Sequence, residues 1–250
     1  MDQRERALAE AFDGQAARFE RAPVQTDPVA LARMVEFAGL QPDSRVLDAG
    51  CGPGLVAEAF LAAGHRVHGV DLAGEMVRRA RERCARFGAR ARFEQGSVAG
   101  LPAEAPFDAA VSRFVVHHAA DPVAFLRAKA ERVRPGGAVL AGDHVTDPDA
   151  QAARWHQEIE RARDRTHERN LTPGELADAF GRAGLREVQL AEDGFELDFD
   201  EWFDRGTPAL PKAEVRARVI AGRARGFEAR SRPDGGITIS CVRVLVRGVR

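Results

Sequence analysis

The run Val46-Leu47-Asp48-Ala49 passes directly into Gly50-Cys51-Gly52-Pro53-Gly54, and an amphipathic segment begins at Leu55. The short apolar run reads as a buried strand, and the closely spaced glycines as a turn through backbone conformations closed to other residues. A helix starting behind such a turn presents unpaired N–H groups and partial positive charge. Asp71 ends the next apolar run, and a carboxylate roughly 20 positions beyond a glycine turn suits the hydroxyls of a ribose. The stretch therefore predicts a nucleoside-containing ligand at the C-terminal end of a strand.

The rest of the chain repeats this alternation. Strands are expected over 45–50, 66–71, 91–95, 107–112 and 137–143, with helices over 55–63, 73–87 and 122–134 between them. Short apolar runs alternating with amphipathic helices mean βαβ units and a parallel sheet covered on both faces. Reversal of strand order then places a ligand crevice at the strands' C-terminal edge. His117, Asp143 and His144 each follow a strand closely and are expected near that edge.

Two helices over 2–20 and 28–38 precede the alternation; the second opens on Asp27-Pro28, an N-cap and first-turn proline. After the fifth strand the pattern changes. A long polar helix is expected over 149–169 with the stripe Trp155, Ile159, Ala162, Thr166, then a capping box at Thr172-Pro173-Gly174-Glu175. A sixth strand over 185–192, helices over 199–205 and 212–225 and a long strand over 237–249 complete the chain. The expected architecture is one α/β domain over 1–250, Rossmann-like, with a seven-stranded, mostly parallel sheet whose last strand is antiparallel. Residues 1–40 form a helical cap and 41–148 the ligand-binding core, while 149–170 and 199–226 are insertions placed to cover the acceptor.

Charge excludes some classes of partner. Acids and bases nearly balance, at a formal net charge of −1, so nothing favours a nucleic-acid partner, which wants a basic face. Cys51, Cys84 and Cys241 lie far apart and are odd in number, so a reducing cytoplasm is the simplest compartment. The charged start Met1-Asp2-Gln3-Arg4-Glu5 has no leader-like apolar stretch, and no run is long enough to span a membrane. The chain has no tyrosine, so no phenol takes part in its chemistry. A monomer or homodimer is expected.

The glycine pattern discriminates between nucleoside ligands. A nicotinamide dinucleotide fingerprint needs G-x-G-x-x-G, whereas Gly50-Cys51-Gly52-Pro53-Gly54-Leu55 brings its third glycine one residue early. Asp48, still inside the strand, is awkward beside a pyrophosphate and apt beside a positively charged ligand.

Residues 45–145 resemble the class I S-adenosylmethionine-dependent methyltransferases. The first motif is Val46–Gly54, followed in order by Asp71, Gln95-Gly96-Ser97-Val98-Ala99-Gly100-Leu101-Pro102 and Phe107-Asp108-Ala109-Ala110-Val111. Then come His117-His118-Ala119-Ala120-Asp121-Pro122 and Arg132-Val133-Arg134-Pro135-Gly136-Gly137, and Phe12-Asp13-Gly14-Gln15-Ala16 is similar to the family's lead-in. The subgroup most resembled methylates small molecules and includes the quinone-biosynthesis C-methyltransferases.

The resemblance implies that Gly50, Cys51 and Gly52 pass under the methionine part of S-adenosylmethionine. Asp71 binds the ribose, Leu72 and Met76 flank adenine, and Asp48 orients the amino-acid end. Ser97 and Val98 stand where an acid commonly meets the adenine amino group, and Phe19 where a tyrosine often closes the site. Simpler readings exist: Asp71 as a helix cap, Asp48 as a structural acid, Leu72 and Met76 as core. Arg113 could meet a carboxylate or phosphate, or serve an ordinary ion pair.

Methyl transfer to carbon or oxygen of a small molecule is the implied activity, with S-adenosylhomocysteine released. The alternative is a protein that binds the cofactor without transferring methyl; an NAD-dependent oxidoreductase is a more distant rival. Histidine is the natural base for a hydroxyl or thiol acceptor. His117 with its neighbour His118, His144 and His167 are the candidates; packing is the simpler role for His117 and His118. His167, eleven residues after His156 and so on nearly the same side of the expected helix, reaches the acceptor if that helix is a lid and otherwise belongs to a solvated face. No His, Cys, Asp or Glu spacing suggests a metal site, so metal-independent transfer is expected.

Overall fold

The computed structural model describes residues 3–102 and 106–250; Asp2, at the expected start of the first helix, lies outside them. The elements in order are α1 (Gln3–Phe19), α2 (Pro23–Thr26), α3 (Pro28–Ala38), β1 (Arg45–Ala49), α4 (Leu55–Ala62), β2 (Arg66–Asp71) and α5 (Gly74–Cys84). β3 (Ala91–Gln95), β4 (Phe107–Val111), α6 (Pro122–Arg132), β5 (Val133–His144) and α7 (Ala150–Arg163) follow. The chain closes with α8 (Pro173–Arg182), β6 (Arg186–Asp198), α9 (Phe199–Asp204), α10 (Lys212–Ala221), β7 (Phe227–Ser231) and β8 (Ile237–Val249).

The sheet order is β3-β2-β1-β4-β5-β8-β6. β1 pairs in parallel with β2 and β4, and β2 with β3 and β4 with β5 likewise. β8 is antiparallel to both β5 and β6. Strand order reverses between β1 and β4, so the crevice of a parallel sheet falls at their C-terminal ends. Alternating side chains face two cores. On one face Val46, Val67 and Leu140 pack with Met34, Phe60 and Val77; on the other Leu47, Val139 and Val246 pack with Leu126 and Phe180.

The expected topology is present with one strand more among the described residues. β7 pairs Phe227–Ser231 with the N-terminal half of β8, taking over alongside β8 where β5 ends. The turn at 233–236 is thus a hairpin, not the lead-in to a lone strand. β6 also runs beyond its expected end to Asp198, whose carboxylate accepts from the Asp200 and Glu201 amides and starts α9.

The polar helix α7 ends at Arg163, not at 169. The Asp164 carboxylate accepts from the Thr166 amide at 2.9 Å, the Thr166 hydroxyl at 2.6 Å and the Thr207 hydroxyl at 2.9 Å. Such a side chain offers the backbone a local alternative to the next helical bond. His156 and His167 therefore do not share a helix face; His167 stands on a loop.

The added segments build a third core over the sheet's C-terminal end. Ile159, Phe199, Trp202, Phe203, Val215 and Phe227 pack together there with Val24. The N-terminal helix docks separately: Phe12, Ala16 and Phe19 lie on Ala73 and Met76. Asp13 Oδ1 accepts from the Glu75 amide at 2.8 Å, and Glu20 bridges Arg79 and Arg83 of α5. Both additions roof the C-terminal edge of β1 and β4. No helix is long and apolar enough to cross a membrane among the described residues.

Candidate active site

A crevice of about 370 Å³ opens at that edge. Its floor is the turn 50–53, which the sequence forces into an unusual path. Gly50 has φ +75° and Gly54 φ +84°, conformations that cost an L-residue roughly 1–2 kcal/mol. A Cβ on Gly50 would stand 2.6 Å from Val115 Cγ2, and one on Gly54 2.9 Å from Ala80 Cα. The Gly50 and Cys51 amides donate to the Val70 carbonyl at 2.8 and 3.0 Å, fastening the turn across to β2. At Gly52 a Cβ would meet open space, so the backbone itself faces the crevice.

Asp71 lines the crevice at the end of β2. Its Oδ2 accepts from the Gly52 amide at 2.8 Å and its Oδ1 from the Ala73 amide at 2.9 Å. These two bonds fix the carboxylate plane and leave a second lone pair on each oxygen for a diol. Burial raises its pKa and the backbone donors oppose that rise. The capping and ribose roles are thus compatible. Asp71→Ala is expected to weaken S-adenosylhomocysteine binding tenfold or more, in line with the ~1.5–3 kcal/mol of a charge-assisted hydrogen bond. Titration calorimetry reads this, and unchanged affinity would reject the ribose role.

Leu72, Met76, Ser97 and Val98 line the far end of the crevice, and Phe19, Cys51 and Gly52 its near wall. Asp48 lies just beneath, fully buried, and neither of its oxygens finds a hydrogen-bond partner. Burial lifts its pKa to about 7, against the attraction of the buried Lys129 and with the repulsion of Asp71. An unpartnered acid under a cofactor's cationic end fits the group that the glycine turn is shaped for. A cationic ligand favours the ionised form, so S-adenosylmethionine affinity is expected to rise as pH climbs through about 7. In the ligand-free protein the sign is opposite: the unfolded chain loses the proton near the ordinary aspartate value of 3.8, so stability falls with rising pH until about 7. Asp48→Asn should flatten both slopes in calorimetry and thermal melts; a variant that keeps them would show that Asp48 is not their source.

Arg113 also lines the crevice, but its Nη1 and Nη2 donate to the Gln25 and Val24 carbonyls at 2.9 and 2.6 Å. Burial, with the nearby Arg243, lowers its pKa to about 10. Those two bonds make it a strut that holds α2 over the end of β4.

The histidines meet beside His118, which lines the crevice. His117 follows β4 in a short 3₁₀ turn, His144 ends β5, and His167 sits on the loop after α7. The His117 ring centroid is 4.2 Å from His144, 5.7 Å from His167 and 4.0 Å from His118. The loop is pinned in place: the Glu168 and Arg169 amides both donate to the His117 carbonyl, at 2.9 and 3.1 Å. His117 Nδ1 lies 2.7 Å from the buried Asp143 Oδ1, and His118 Nδ1 donates to the Thr166 carbonyl at 2.9 Å. Burial drives His117 and His167 well below the ordinary histidine pKa, and His144 to about 3. Burial pushes Asp143 upward.

A pocket of about 50 Å³ lies against His117, His118 and His144, and it shares Phe19, Gln25, Phe114 and His118 with the crevice. Sequence spacing brought His117 and His144 to the same edge but could not convey that His167 joins them. It also gave no role to Asp143, although its place beside His144 at a strand end was a usable signal.

A methyltransferase-domain family profile matches residues 46–137. A ubiquinone biosynthesis O-methyltransferase of Xanthomonas euvesicatoria pv. vesicatoria is 32% identical over 178 residues, covering 68% of this chain and 71% of that protein. The uncharacterized methyltransferase YcgJ of Bacillus subtilis is 29% identical over 188 residues, 74% of each chain. Its crystal structure superposes with a TM-score of 0.78 at 26% identity, over 89% of this chain and 98% of that one. Geranyl diphosphate C-methyltransferase from Streptomyces coelicolor, solved with Mg²⁺, geranyl diphosphate and S-adenosyl-L-homocysteine, shares the fold at a TM-score of 0.60 and 20% identity, covering 89% and 79%. The chain belongs to the class I S-adenosylmethionine-dependent methyltransferases. Its cofactor is S-adenosylmethionine.

Proposed function

We propose that the chain methylates a small molecule at oxygen, or at a carbon activated by a neighbouring oxygen. The observation that carries this reading is that the crevice and the small pocket against His117 and His144 share the wall formed by Phe19, Gln25, Phe114 and His118. The crevice is of ordinary small-ligand size, about 300–1,000 Å³, and the cofactor fills much of it. What remains is a chamber roofed by α1, α2 and α9, suited to a small acceptor and closed to a folded macromolecule.

Bound at the glycine turn, S-adenosylmethionine supplies a methyl group on a cationic sulfur, which departs with the electron pair of the broken bond. The chain's own residues do three things. Asp71 and the turn fix the cofactor's orientation, and a fixed in-line approach lowers the barrier by removing orientational freedom. Phe12, Phe19 and Phe114 wall the chamber with apolar rings and exclude water. The histidine end receives the acceptor's polar group. His118 lines the crevice with Nδ1 already donating to Thr166, so Nε2 is left with a lone pair that can take the acceptor's proton.

The test is to incubate the protein with methyl-labelled S-adenosylmethionine and separate a cell extract into low-mass, protein and nucleic-acid fractions. Label recovered in the low-mass fraction, on oxygen or carbon by mass spectrometry, is expected. Label confined to protein or nucleic acid would overturn the reading.

A further inference from the structure

The histidines at the end of the chamber carry a consequence beyond acceptor binding. One ring nitrogen from each of His117, His144 and His167 lies within 4.8 Å of the other two. The hydrogen bonds around two of the rings fix where their protons sit. His117 Nδ1 is engaged by Asp143, so its proton sits there and Nε2 carries the lone pair. Gln157 is oriented at both ends by Asn170: its Nε2 donates to the Asn170 carbonyl and its Oε1 accepts the Asn170 amide. Gln157 Oε1 therefore faces His167 Nε2 as an acceptor at 2.9 Å, which places the proton on Nε2 and the lone pair on Nδ1. His144 Nε2 is buried with no partner at all.

One nitrogen of each ring thus comes close to one of each other ring in a buried place among the described residues, and the bonds at His117 and His167 leave each of those two rings a free lone pair. We propose that His117, His144 and His167 bind one divalent transition-metal cation of the zinc or cobalt class, with an open coordination position toward the acceptor chamber. Imidazole nitrogen suits these ions, and three protein ligands with a vacant fourth position are the pattern of catalytic rather than structural zinc. Metal–nitrogen bonds of about 2.0–2.1 Å at tetrahedral angles bring donors about 3.4 Å apart, so modest ring rotations close the set.

The surroundings fit the ion in two further ways. Asp143 behind His117 and Gln157 behind His167 are the outer partners that orient metal-bound imidazoles. The Asp143 and Glu160 side chains are both buried at this place and together can offset a dication's charge. Burial of the Glu160 carboxylate opposes ionisation, yet His156, His144, His167 and Arg163 around it hold its pKa well below the usual range. The expectation of a metal-free chain came from spacing along the sequence. The three ligands come from a turn, a strand end and a loop, a combination that no local spacing reveals.

The ion's use rests on the methyl-transfer reading: through its open position it would hold and orient an oxygen of the acceptor beside the cofactor. Binding of the ion stands independently of that use. Protein made without a polyhistidine tag is stripped with a chelator, dialysed against Zn²⁺ or Co²⁺, and analysed for metal content and visible absorption. One equivalent per chain is expected, with the intense d–d bands of a four-coordinate cobalt site. His144→Ala and His167→Gln should abolish both, and Asp143→Asn should weaken binding by about 10–100-fold. Unchanged circular dichroism and S-adenosylhomocysteine affinity show that each variant is folded. Substoichiometric metal in a protein that still binds S-adenosylhomocysteine would overturn the site, as would an unchanged cobalt spectrum in His144→Ala. Stoichiometric metal whose removal leaves methyl transfer intact would keep the site and overturn its use on the acceptor. Metal binding without any methyl transfer would instead overturn the functional reading alone.

Discussion

His117→Ala and His144→Ala each lower turnover by ~10²-fold or more, the range for loss of a positioned polar group at the reacting centre, while S-adenosylhomocysteine binds as tightly as before. The separation of the two effects is the informative part. Neither ring lines the crevice beneath the glycine turn; both line the pocket beyond Phe114 and His118. The cofactor's contacts are therefore untouched, and what is lost is the acceptor's polar seat. Their burial makes a structural cost plausible as well: each truncation leaves Asp143 short of a favourable neighbour in a dry place. Circular dichroism and the cofactor affinity measure that cost, and His117→Gln, which keeps a donor toward Asp143, should restore stability without restoring turnover. If both alanine variants turn over normally, the acceptor end of the chamber is elsewhere.

Gly50→Val removes cofactor binding. The residue has φ +75°, and its Cβ would stand 2.6 Å from one methyl of Val115 and 3.1 Å from the other. The left-handed backbone costs roughly 1–2 kcal/mol and overpacking a further ~1–3 kcal/mol. Val115 is branched at Cβ and cannot swing aside, so the turn must move. The Gly50 amide bond to the Val70 carbonyl and the Gly52 amide bond to Asp71 would move with it. Calorimetry should show no saturable S-adenosylhomocysteine binding, and the melting temperature should fall by several degrees, at ~2–4 °C per kcal/mol for a chain of this size. Wild-type affinity in this variant would mean that the turn is not the cradle.

The alternating half of the chain was legible because each element carries its own signal. β1 through β5 appear within a few residues of their expected places, and Asp27, Thr172 and Gly39 cap helices as their types suggest. The end of α7 was not legible. Thr166 extends the apolar stripe of Trp155, Ile159 and Ala162, and periodicity alone carries the helix onward. What stops it is Asp164, whose carboxylate captures Thr166 and the distant Thr207. That tertiary bond puts His167 on a loop and brings it to His117. β7 escaped for a similar reason: a five-residue strand gains its meaning only from the β8 residues it pairs with.

At the site, the crevice floor and Asp71 were read from one contiguous motif and one acid. The histidines of the proposed acceptor end are drawn from the ends of β4 and β5 and the segment after α7, and only folding assembles them. Arg113 lines the crevice and is also tied to the Gln25 and Val24 carbonyls of the added cap, partners that its place after β4 does not convey.

A crystal structure of the complex with S-adenosylhomocysteine tests the central assignment most directly. The expected density places the ribose hydroxyls on the Asp71 carboxylate, the homocysteine part over Gly50 and Gly52, and the sulfur open toward Phe114, His118 and the pocket under His117 and His144. Density with the ribose away from Asp71, or with the sulfur turned from the histidines, would contradict the account.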